Sequence, residues 1–173
     1  APSTRIHLIG LGGIGVSGVA RALLAKGDRV SGSDVRESQL TTWLREAGAT
    51  VHIGHSSAHL EGVDLVVVST AIPESNPELI AARERGIEVR HRSELLGAIV
   101  AAHPIAIGVI GTHGKGTTAS AITWLLERAG RRPGYIIGGL LENFGKTNAR
   151  LTDSGVIVAE ADESDGSLKN VPT

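Results

Sequence analysis

Ile6-His7-Leu8-Ile9-Gly10-Leu11-Gly12-Gly13-Ile14-Gly15-Val16-Ser17 is the stretch on which the fold turns. A short apolar run, of a length suited to a buried strand, meets Gly10, Gly12 and Gly15 in G-x-G-x-x-G spacing and continues with helical spacing from Val16. Strand, tight turn and helix in that order open a βαβ unit. Glycines let backbone N–H groups approach phosphate oxygens, and the amino terminus of the helix adds roughly half a positive charge. Asp34 ends the next apolar run, where dinucleotide folds place an acid on a ribose hydroxyl. On these residues alone three readings stay open: NAD, a UDP-sugar diphosphate, or a glycine turn kept for helix–strand packing.

Outward from this unit, β-rich runs at 6–9, 29–33, 50–53, 65–69, 88–90, 105–110, 135–137 and 156–159 alternate with helical patterns at 16–25, 39–47, 77–85, 94–100 and 117–129. Gly27, Gly48, Gly86 and Gly130 stand where helix C-caps belong. The expected class is α/β: a Rossmann-like parallel-sheet domain over 1–103, then the start of a P-loop ATPase α/β domain over 104–173. The second domain repeats the strand–turn–helix device. Its strand runs into Gly111-Thr112-His113-Gly114-Lys115-Gly116-Thr117-Thr118, the placement of a loop that cradles a nucleoside triphosphate. Lys115 would reach the β and γ phosphates and a nearby hydroxyl would hold Mg²⁺. Val109 and Gly116 depart from the generic pattern, which has Gly and Ser or Thr at those places.

Composition narrows the function classes. Seventeen basic and 18 acidic residues give a net charge of −1, and aromatics make up 2%, so neither a nucleic-acid footprint nor a base-stacking platform is expected. Without cysteine there is no disulfide framework, thiolate nucleophile or thiolate-bound metal. No secretory h-region or membrane-length apolar run is visible, so a soluble protein is expected, and the lack of cysteine is compatible with a cytoplasmic setting. The histidines at 7, 52, 55, 59, 91 and 103 show no metal-ligand spacing with carboxylates. The basic run from Arg83 to Arg92 reads as a solvated helix and strand end.

GTHGK after an apolar strand resembles the ATP-binding loop of the Mur ligases, and its histidine is similar to the form found in the alanine-adding branch. IHLIGLGGIGVSGVA, SGSD, VVVSTAIPESNPEL and IVAEADESDGS resemble further segments of the family in family order, from about Arg5 to Ser167. The resemblance implies ATP- and Mg²⁺-dependent joining of L-alanine to the lactyl carboxylate of UDP-N-acetylmuramate through an acyl phosphate, in peptidoglycan synthesis. It turns the first glycine turn from NAD to the UDP diphosphate, with Gly13, Ile14, Gly15, Val16 and Ser17 at the diphosphate and Asp34, Ser69, Thr70 and Ala71 on the uridine side. It makes Lys115 and His113 the catalytic candidates within the 111–118 loop. His113 would face the sugar or Mg²⁺-bound water, or be a hydrogen-bonded loop residue. Glu160 and Thr117 become the expected metal ligands; Thr117 is invoked because Gly116 replaces the family's threonine. Asp162, Glu163 and Asp165 are outer-sphere candidates or a solvated loop.

Three alternatives accompany this expectation. TWLLERAGRRPGYIIGGLLENF is similar to the ligase that recycles murein peptides; outside catalysis stand a nucleotide-sugar-binding module and an NAD-dependent oxidoreductase domain. The resemblance further implies a chain that carries only the beginning of the ATPase domain, and that by itself binds the nucleotide sugar without forming the amide.

Overall fold

The computed structural model describes residues 3–161. The chain divides into two compact units, Ala1–Arg92 and Ser93–Thr173. The division falls at the start of a helix, about one helix earlier than the 103/104 boundary expected from the start of the second strand–turn–helix unit.

In the first unit, β1 (Arg5–Ile9), β2 (Arg29–Asp34), β3 (Thr50–Ile53), β4 (Leu65–Val68) and β5 (Glu88–His91) form a wholly parallel sheet in the order β3-β2-β1-β4-β5. The order reverses between β1 and β4. A ligand crevice is therefore expected at the carboxyl ends of those two strands. α1 (Ile14–Ala25), α2 (Gln39–Glu46) and α3 (Pro77–Glu84) make the crossovers. α2 starts because Ser38 and Thr41 form a reciprocal capping box, and α3 because the Asn76 side chain caps two N–H groups ahead of Pro77. α1 has only Gly13 as its N-cap, with no side-chain cap.

The two faces of the sheet differ in chemistry. Ile6, Leu8, Val30, Leu65 and Val67 are buried on one face. The other carries Ile9 and Val66, packed with Leu60, Leu79 and Ala82, but also His7, Ser31 and Ser33. His7 and Ser33 are fully buried.

In the second unit α4 (Arg92–Ala101, joining the unit at Ser93) precedes a sheet of order β6-β9-β7-β8, built from β6 (Ile105–Val109), β7 (Gly134–Leu141), β8 (Thr147–Arg150) and β9 (Val156–Glu160). α5 (Lys115–Arg128) packs on it. β6, β9 and β7 are parallel, while β8 returns antiparallel to β7. β8 lies outside the strands expected from sequence. Apart from the buried Ala149 its residues are polar, and it is held by Tyr135 against Thr147 and by Arg150, which pairs with Glu127 and lies over the Tyr135 and Phe144 rings. No helix among the described residues is long and apolar enough to cross a membrane.

Candidate functional site

The first glycine turn leaves the carboxyl end of β1 and is tied to β2: the N–H groups of Gly10 and Leu11 both donate to the Ser33 carbonyl, at 2.8 and 2.9 Å. Asp34 Oδ2 accepts from the Gly12 N–H at 2.8 Å. The acid expected on a ribose hydroxyl thus has a prior task, holding the turn in shape. A Cβ on Gly12 would lie 2.9 Å from that same oxygen, so only glycine fits. Gly10 has a φ of 79°, which favours glycine independently of space. Ile72, just past β4, packs on Gly10, and this brings the segment of Ser69, Thr70 and Ala71 beside the turn at the switch point.

The five residues assigned to the diphosphate divide by what they can offer. Gly13, Ile14 and Gly15 present the uncapped start of α1. Val16 is buried in the core, leaving its main chain as the part suited to a ligand. Ser17 is fully buried and its hydroxyl donates to the Ile14 carbonyl at 2.9 Å, within the helix.

Arg92 was grouped with a solvated basic run on sequence grounds, and the structure places it elsewhere. Its Nη1 lies 2.7 Å from where a Cβ of Gly15 would be, so the guanidinium lies against the opening turn of α1. A side chain at position 15 would displace it. Arg92 and Gly15 stand far apart in sequence, and no local motif links them.

Sequence reasoning also missed Glu78. Fully buried at the start of α3, it gathers histidines from separate elements. His59 Nδ1 donates to Oε1 at 2.7 Å, and His7 Nε2 lies 3.4 Å from the same oxygen. His55 Nδ1 donates to Oε2 at 2.9 Å, and the Ser33 hydroxyl donates there too. Burial alone would raise the Glu78 carboxyl; the adjacent His7 ring and hydrogen bonds from Ser33 and His59 outweigh it and hold the group down at about 2. His55 is a structural member of this cluster. Among the described residues no group of three or more His, Cys, Asp or Glu is arranged to hold a metal ion.

The second glycine turn leaves β6. Gly114 is the N-cap of α5 in the left-handed region, φ 74°, so the helix begins at Lys115, two residues before the expected start at Thr117. Lys115 Nζ donates to the Gly111 carbonyl at 2.8 Å, folding the cation back over the loop. Thr112, His113, Thr117 and Thr118 are exposed.

Glu160 ends β9 in register with Val109, the last residue of β6, and so stands beside the turn. Its Oε2 accepts from the Gly138 N–H at 2.8 Å. A Cβ on Gly116 would be 3.6 Å from that oxygen, an ordinary contact. The residue facing Glu160 is therefore Gly116, with Thr117 about 100° further round the helix. Asp162, Glu163 and Asp165 lie outside the described residues.

The arrangement in the second unit suits Mg²⁺ bound with a nucleotide. That ion takes one or two carboxylates and completes its shell with phosphate oxygens and water, so a single strand-end carboxylate beside a phosphate loop is a fitting donor set.

Comparison with known proteins shows the family to which the chain is similar. Residues 5–104 match the profile of the "Mur ligase family, catalytic domain". The UDP-N-acetylmuramate–L-alanine ligase of Thermobifida fusca is 50% identical over 164 residues, which cover 95% of this chain and 34% of that protein. The crystal structure of UDP-N-acetylmuramate-alanine ligase from Thermotoga maritima superposes with a TM-score of 0.90 at 29% identity, covering 96% of this chain and 39% of that one. UDP-N-acetylmuramate:L-alanyl-gamma-D-glutamyl-meso-diaminopimelate ligase from Neisseria meningitides gives a TM-score of 0.86 at 33% identity, covering 94% and 55%. The chain spans about a third of the length of the curated relatives it matches.

Proposed function

The chain belongs to the Mur ligase family, and from that premise we propose that it serves the ATP-dependent addition of L-alanine to UDP-N-acetylmuramate. The first unit takes the nucleotide sugar and the second takes ATP with Mg²⁺. The observation that carries the reading is the pairing of Glu160 with the 111–118 loop, a carboxylate beside a phosphate cradle, for which a nicotinamide-binding domain has no use.

The chemistry joins two anions, so alignment and charge neutralisation are the main tasks. A carboxylate oxygen of the sugar's lactyl group attacks the γ-phosphorus of ATP and ADP leaves. The amine of alanine then attacks the acyl carbon, phosphate departs and the amine loses a proton. Lys115 is positioned to neutralise the β and γ phosphates once nucleotide displaces its contact with the Gly111 carbonyl. Mg²⁺, when bound, supplies further positive charge, and Glu160 is the residue here that would hold it. Thr117 stays the candidate hydroxyl, since position 116 has none. His113, exposed in the loop, is kept in this proposal as the residue for the sugar or a metal-bound water.

In the first unit Gly13, Ile14 and Gly15 offer main-chain groups to the diphosphate, and Val16 and Ser17 follow them in the first turn of α1. Arg92 adds a guanidinium to that set. Asp34, Ser69, Thr70 and Ala71 line the uridine side.

Calorimetric titration of the chain with UDP-N-acetylmuramate and, separately, with NAD tests the reading. Saturable binding of the nucleotide sugar with none of NAD is expected; the reverse pattern would overturn it. The peptide-recycling alternative keeps the same two sites and differs in the acceptor, so competition between alanine and tripeptide in the complete enzyme separates the two.

A further inference from the structure

All five strands of the first sheet run parallel and the glycine turn follows the carboxyl end of β1, so the amino-terminal ends of the strands lie at the opposite edge. There, on the face that carries His7, is an open cleft of about 240 Å³. Arg5 begins β1 and Arg29 begins β2. They are register partners and both line the cleft. Among the described residues no carboxylate forms an ion pair with either guanidinium. Asp64, which is close by, accepts instead from the Arg5 main-chain N–H at 2.8 Å.

Two like charges directly opposite on neighbouring strands repel, and among the described residues no ion pair offsets them. Space has nevertheless been kept for one of them: a Cβ on Gly62 would lie 2.4 Å from Arg5 Nη1, so the guanidinium rests on a turn that tolerates no side chain. The inner wall is formed by His52 and His59, whose rings stack 4.0 Å apart at 10°. The polar residues Ser31 and Thr50 complete the lining on the strand side.

We propose that this cleft is an anion site, separate from both glycine turns, that takes a small phosphate-bearing ligand. Two guanidinium groups from adjacent strands match a tetrahedral oxyanion with several acceptors. The volume lies below the ~300 Å³ at which pockets for larger organic ligands begin, which selects a phosphate on a small carrier over a nucleotide.

The groups facing the site are Arg5 from β1, Arg29 from β2, His52 from β3 and His59 and Glu61 from the segment before β4, with His7 and Glu78 behind them. Burial, then His59 and His7, lower the His52 pKa against the opposing pull of Glu78, which favours the neutral ring. A bound anion favours its protonated form, so affinity rises as pH falls.

The test is proton NMR of the histidine ring resonances of the 173-residue chain, titrated with inorganic phosphate at constant ionic strength. Saturable shifts of His52 and His59 are expected, with His113 reporting separately on the second glycine turn. Arg29→Gln should weaken the response at His52 and His59 about 10-fold, and Arg5→Gln should do the same. Sulfate, which keeps its charge, should bind more tightly at pH 6 than at pH 7.5. Absence of saturable shifts at His52 and His59 would overturn the proposal, as would unchanged affinity in both arginine variants, or sulfate binding that does not tighten at the lower pH.

Discussion

Single atoms decide much of the first site. Because a Cβ on Gly12 would meet Asp34 Oδ2 at 2.9 Å, Gly12→Ala must push the aspartate off the turn. A loss of about 1–3 kcal/mol in thermal unfolding is expected, together with weakened nucleotide-sugar binding. Arg92→Ala should reduce UDP-N-acetylmuramate affinity about 10-fold by calorimetry; full affinity would remove Arg92 from the proposed site. Glu78 makes a prediction in pH. Its folded pKa of about 2 lies below the ordinary carboxyl value of 4.5, so the stability it contributes is complete above 4.5 and is lost as pH falls from there towards 2. Glu78→Gln should therefore cost about 2–3 kcal/mol at pH 7, and the gap to the parent should close over that acid window in chemical denaturation.

At the scale of elements, the starts of α1 and α5 explain why part of the protein could be read from sequence and part could not. Strands β1 to β6, β7 and β9 announce themselves by apolar runs, and most helices by glycine C-caps. α1 and α5 each begin two residues earlier than periodicity indicates, because their N-caps, Gly13 and Gly114, carry no polar side chain to mark the boundary. β8 escaped because Thr147-Asn148-Ala149-Arg150 has no apolar run; the left-handed pair Gly145 and Lys146 before it was the available hairpin signal. The two glycine turns and Lys115 could be picked out through local patterns, and Glu160 through the family resemblance of its segment. Arg92 and Glu78 were illegible because their partners come from remote elements. The position of Gly116 on the first turn of α5 yields a further expectation. A Cβ at position 116 would meet Glu160 at an ordinary contact distance, so Gly116→Thr should supply a hydroxyl there and tighten Mg²⁺-dependent ATP binding several-fold. Weaker binding in that variant would mean that Thr117 already fills the role.

Across the whole molecule the two sheets differ in how their phosphate-loop strands are protected. β1 sits third of five strands and is buried along all but its first residue, whereas β6 is an edge strand with Ile105 56% exposed. Native-state hydrogen exchange should find β1 amides among the slowest and β6 amides markedly faster; equal protection would show that β6 is covered in solution. Glu78 adds a constraint of another kind. Four elements reach it: β1 through His7, β2 through Ser33, the segment before β4 through His55 and His59, and α3 through its own backbone. Removing any one partner leaves a buried charge or donor unmatched, while replacing the set together with apolar groups of similar shape would cost far less. Single substitutions at these positions should thus be costly and concerted ones far cheaper, so the carboxylate and its ring of imidazoles are expected to be exchanged only as a block.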